Sequence, residues 1–69
     1  METIKLKGDY IKLGQALKAA GLVEEGVDAK YEIIEGNVLV NGEVCTMRGK
    51  KLYGGDKVSF DGQEVIIED

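Results

Sequence analysis

KLGQALKAAGLVEEGVDAKYEIIEGNVLVNGEV runs from Lys12 to Val44 and holds the transitions that decide the fold. Leu13, Leu17 and Ala20, continued backward to Tyr10, fall at helical spacing and predict one apolar stripe. Asp9 stands just before, where a carboxylate can accept hydrogen bonds from the free amides of a helix start, and Gly21 suits the left-handed stop. A second helix is predicted over 26–35, with Val27, Tyr31 and Ile34 on its stripe, Ile33 beside it, and Gly36-Asn37 as its end. Glu24, Glu25 and Asp28 crowd its start, where negative charge complements the helix dipole. Two helices this short must pack face to face, since neither is stable alone. The period then changes. Val38 to Val40, Asn41-Gly42 and Glu43 to Thr46 read as a hairpin, because Asn-Gly fits the positive φ angles of a type I′ turn.

Outward from this stretch the pattern is β. Residues 2–7 alternate, with Ile4 and Leu6 on one side and Thr3, Lys5 and Lys7 on the other, as in a half-buried strand. Val58 and Phe60, then Asp61-Gly62, then Val65 and Ile67 form a second hairpin signal. The predicted fold class is α+β: two packed short helices against a small, mostly antiparallel sheet, in the order β-α-α-β-β-loop-β-β. Residues 1–69 are expected to form a single domain, because a chain of 69 residues has room for one thin core.

The residue inventory narrows the chemistry. The chain has no His, no Trp and no Pro, and Cys45 stands alone. His-Cys metal sites and His-based triads are therefore excluded within one chain, and the carboxylate spacing matches no calcium loop. No cofactor, no metal and no catalytic residue is expected. No apolar stretch approaches the ~20 residues of a membrane span, and no signal-peptide pattern opens the sequence, so a cytoplasmic, non-membrane setting is expected. Cys45 is expected to be an inert, partly buried strand residue.

Charge is segregated. The formal net charge is −4, yet Arg48, Lys50, Lys51 and Lys57 face only Asp56 between Val44 and Lys57, a local net of +3. Residues 1–43 carry a net of −3 and the segment from Val58 onward a net of −4. A local cluster of this kind can hold phosphates when the overall charge is unfavourable. Arg48 carries the most weight, since a guanidinium grips a phosphate at two points, while Lys50 and Lys51 act as point charges. Tyr53 could stack a base. Gly26 opens the second helix with bare amides, but its acidic neighbours would repel a phosphate there.

These residues, in this order, resemble the RNA-binding domain named after small-subunit ribosomal protein four, the alpha-L motif. The resemblance rests on Lys12-Leu13 opening the first helix and Ala29-Lys30 in the second. It continues through Gly36, Val38, Val40, Asn41 and Gly42, and closes on Gly55-Asp56. Leu13-Gly14-Gln15 and Arg48-Gly49-Lys50-Lys51-Leu52 are similar to the stand-alone small proteins of the YaaA/YbcJ type. Departures are Gly26, where many members carry Arg, Gly14 in place of a commoner Asp, Met47 in place of another Arg, and Gly54 in place of Pro. The resemblance implies a non-catalytic module that binds structured RNA, ribosomal or transfer RNA. It further implies that Lys12 and Lys30 join Arg48, Lys50 and Lys51 beside the loop, with Lys18 a weaker candidate. An acidic chain lacking the Arg at Gly26 also fits a protein-interaction adaptor that kept the fold and lost the RNA. A ubiquitin-like regulatory domain uses similar hairpins but would contain one long helix in place of a packed pair.

Overall fold

A computed structural model describes residues 2–69. The alternating amino end forms β1 (Glu2–Lys5), and Leu6 prolongs it by donating its amide to the Glu68 carbonyl at 2.7 Å. A two-residue strand, β2 (Ile11–Lys12), turns directly into α1 (Leu13–Ala19), and α2 (Gly26–Ile34) follows. The rest is β3 (Val38–Val40), β4 (Glu43–Val44), β5 (Lys51–Leu52), β6 (Lys57–Phe60) and β7 (Gln63–Glu68). Five strands form one sheet in the order β1-β7-β6-β3-β4, antiparallel except where β1 runs parallel to β7. The remaining two, β2 and β5, pair antiparallel as a separate ribbon. The architecture is the expected α+β arrangement with that ribbon added.

Local chemistry accounts for the punctuation. Asn41 and Asp61 have φ of 52° and 51°, and the glycine after each is also left-handed, so both hairpins close as the sequence predicts. α1 ends with Gly21 donating to the Lys18 carbonyl and Leu22 to the Leu17 carbonyl, both at 3.0 Å, a Schellman pair that satisfies two orphan carbonyls. The end of α2 repeats it, through Gly36 to Ile33 and Asn37 to Glu32.

The core forms where the sheet meets the helices. Val40, Val58 and Val65 lie side by side across β3, β6 and β7, and Ile67 extends the buried face towards Ile4 on β1. Leu13, Ala16 and Leu17 from α1 and Ala29 and Ile33 from α2 cover it, and Leu52 ties the ribbon into the same cluster. The opposite sheet face carries Lys57 and Glu64, whose Nζ and Oε2 lie 3.0 Å apart, the one salt bridge among the described residues.

Two sequence expectations are corrected. Asp9 does not cap the first helix and Tyr10 is not in the core: Ile11–Lys12 pair with Lys51–Leu52, the helix begins at Leu13, and Tyr10 is 40% exposed. The cause lies more than thirty residues away in sequence, because the Leu13 and Gly14 amides donate to the carbonyls of Lys50 (2.8 Å) and Arg48 (3.2 Å). Gln15 Oε1 accepts the Lys12 amide at 3.2 Å, so the helix start is satisfied without Asp9. The second correction concerns α2. Ala29 and Ile33 face the core, whereas Val27, Tyr31 and Ile34 are 73%, 63% and 54% exposed. At about 100° per residue these are opposite sides of one helix, and both have helical periodicity. Packing against α1 selects the side carrying the small Ala29, which permits close approach, and leaves the bulkier stripe outside.

Candidate nucleic-acid interface

The basic segment is fastened to the start of α1. Its turn closes when the Lys50 amide donates to the Met47 carbonyl at 3.1 Å, which leaves Arg48 and Gly49 at the tip. The Arg48 stem lies over Gly14: a Cβ at that glycine would stand 3.1 Å from Arg48 Cγ and 3.7 Å from Cδ. Gly14 is thus the residue that lets the loop approach the helix, and Arg48 projects from a seated stem.

Two hollows flank the turn. One is lined by Lys12, Gly14, Gln15, Arg48 and Gly49, with Glu25, Gly26 and Val27 from the start of α2 on its far wall. The other takes Lys50, Lys51 and Tyr53, walled by Val44, Met47 and Asp56 among others. The five predicted cations therefore do not line one hollow. Lys12 and Arg48 share one side, Lys50 and Lys51 the other, and Lys30 is exposed on α2 but lines neither. Lys57, counted with the basic segment by sequence position, is spent on Glu64 across the sheet.

Register brings the two sides into contact. Lys12 pairs directly with Lys51 across the ribbon, and like charges set opposite one another are destabilising unless something offsets them. No acidic side chain forms a salt bridge with Lys12, Lys30, Arg48, Lys50 or Lys51 among the described residues. Lys51 Nζ lies 4.8 Å from the centroid of the Tyr10 ring, and that ring is tilted at 56° to Tyr53 with centroids 6.2 Å apart. Tyr10 is the residue that sequence reasoning missed. The signal is present as a mirrored pair of triplets, Tyr10-Ile11-Lys12 and Lys51-Leu52-Tyr53, which an antiparallel ribbon superposes.

Asn41 and Asp56, the polar residues of the two turn motifs, hold each other. Asn41 Nδ2 donates to Asp56 Oδ1 at 3.1 Å, Asn41 Oδ1 accepts the Lys57 amide at 2.9 Å, and Asp56 Oδ2 accepts the Tyr53 amide at 2.8 Å. They clamp the base of the basic segment and so position it from below. Cys45 is half-buried, its thiol directed to the Met47 carbonyl at 3.8 Å.

A helix pair on a mostly antiparallel sheet, with a cationic turn seated at the first helix, defines the class: the chain belongs to the S4 domain family, whose model matches residues 4–68. It is 41% identical over 68 residues to a protein of Escherichia coli (strain K12) named "Putative RNA-binding protein YbcJ", covering 97% of each chain. It is 44% identical over 59 residues to the "Probable ribosome maturation protein RlbA" of Bacillus subtilis (strain 168), covering 86% of this chain and 83% of that one. The solution structure of YbcJ from E. coli, described as revealing an alpha-L motif involved in RNA binding, superposes with a TM-score of 0.77 at 38% identity. That superposition covers 100% of this chain and 89% of YbcJ.

Proposed function

We propose that this chain is a non-catalytic RNA-binding module, acting as one stand-alone domain in the cytoplasm on structured RNA of ribosomal or transfer type. The observation that carries the reading is a set of four cations, Lys12, Arg48, Lys50 and Lys51, grouped around the start of α1 with no salt-bridge partner among the described residues. A lysine paired with an acid can add to a fold's stability; unpaired ones set opposite each other cost stability and are suited to an incoming anion. Arg48 on its seated stem would take a phosphate at two points, and the lysines would flank it as point charges. Lys30 would contribute only at the margin, reached by an RNA long enough to extend along α2. The names of the two relatives agree with this reading, and no helix of the described residues is long and apolar enough to cross a membrane. Filter binding to a structured ribosomal RNA fragment tests it. The variant Arg48→Ala/Lys50→Ala/Lys51→Ala should lose on the order of a hundredfold in affinity at low salt, and equal affinity for both proteins would remove the site.

The exposed Val27, Tyr31 and Ile34 stripe, with Glu24, Glu25 and Asp28 nearby, supports a second reading as a protein-interaction adaptor. A co-purified protein partner that persists after nuclease treatment, lost on Tyr31→Asp but retained by the triple variant, would favour it.

A further inference from the structure

The ribbon of β2 and β5 is two residue pairs long, and its two faces are unlike. Ile11 and Leu52 form the inner pair, half-buried and fully buried, so period-two alternation turns Lys12 and Lys51 to the outer side. Continuing the register by one step sets Tyr10 opposite Tyr53, on the same outer side as the lysines, and their 6.2 Å centroid separation agrees with that placement. The outer face is therefore a tile of two aromatic rings and two cations.

Packing into the core does not account for it, although Lys51 and the two rings touch one another. Tyr10 and Tyr53 keep 40% and 50% of their surface open, where rings recruited for the core would be covered. Two acids line the hollow beside the tile, Glu43 and Asp56: Asp56 is committed to the Tyr53 amide and to Asn41, and neither forms a salt bridge with Lys51. Residues two apart on one side of a strand are separated by about 6.6 Å, so a base lying on a tyrosine brings its phosphate within reach of the neighbouring lysine. Stacking of this kind tolerates any base, because every base has a π face.

We infer that the outer face of this ribbon, Tyr10, Lys12, Lys51 and Tyr53, is a stacking seat for an unpaired nucleotide. The inference rests on the RNA-binding reading above and sharpens its substrate: RNA with an unpaired nucleotide next to a paired segment. The tile bridges the two hollows, since Lys12 lines one and Lys51 and Tyr53 the other. A duplex held at Arg48 would thus present its single-stranded neighbour to the rings.

The test compares a blunt hairpin RNA with the same hairpin carrying a single-stranded uridine tail. The wild-type chain should bind the tailed RNA about tenfold more tightly, the size expected for one stacked base. Replacing the tail nucleotides with abasic ones should abolish the preference, a readout that needs no variant and so no assumption about folding. Tyr10→Ala and Tyr53→Ala should bring the ratio of the two affinities close to one, and Tyr10→Phe should preserve it. A ratio unchanged in the alanine variants, or an abasic tail as effective as uridine, overturns the seat while leaving RNA binding intact. Failure of the wild type to bind either RNA overturns both.

Discussion

Gly14 and Arg48 show how much of the candidate interface depends on single atoms. The arginine stem crosses the space that a side chain at position 14 would occupy. Gly14→Ala puts its methyl 3.1 Å from Arg48 Cγ, a contact that a slight shift of the stem relieves. Gly14→Val adds a branch and must displace the stem altogether. RNA affinity measured by filter binding is expected to fall several-fold for Gly14→Val, while thermal melting moves by no more than about 1 kcal/mol of stability, the scale of helix-propensity changes. Unchanged affinity would mean that the seat of Arg48 is irrelevant to binding. At this scale the sequence was partly legible. Arg48 is conspicuous as a cation in an acidic chain, but the role of Gly14 depends on a loop more than thirty residues downstream, and no local rule connects them.

Elements are where periodicity succeeded and also misled. Both hairpins were legible because Asn-Gly and Asp-Gly tolerate left-handed angles that other residue pairs resist, a backbone property independent of the rest of the fold. The face of α2 was not, because apolar residues at 27, 29, 31, 33 and 34 satisfy a helical stripe on either side. The choice is testable by chemical denaturation. Leu17→Ala, at a fully buried position on α1, should cost about 2–5 kcal/mol. Val27→Ala, on the open side of α2, should change stability by no more than about 0.5 kcal/mol. Comparable losses would place Val27 against the core and contradict the packing. The start of α1 failed for a related reason. Asp9 and Tyr10 look like a cap and a first turn until β5 arrives to pair with Ile11 and Lys12.

For the whole molecule, the decisive quantity is a charge distribution at odds with its total. Glu and Asp outnumber Lys and Arg by 13 to 9, so long-range attraction to RNA is poor and short-range contacts must supply the affinity. Affinity should therefore be strongly dependent on salt, with log affinity falling against log salt at a slope of about −2 to −4 for roughly three or four phosphates. The triple variant at Arg48, Lys50 and Lys51 should show a slope shallower by about two to three. A salt-independent signal would place binding elsewhere, on the apolar stripe of α2 for instance.

By itself the sequence determined the hairpin turns, the helix stops, the α+β order and the existence of a cationic segment. Each follows from backbone angles, periodicity or charge within a few residues of chain. The tertiary structure alone decided which side of α2 is buried, which cations share a hollow, and that Lys57 is spent on Glu64. It also joined Tyr10-Ile11-Lys12 to Lys51-Leu52-Tyr53, turning two unremarked triplets into one surface. The physical reason is the same throughout: those outcomes are set by pairing and packing between segments far apart in the chain, where a residue's own preferences leave more than one arrangement open.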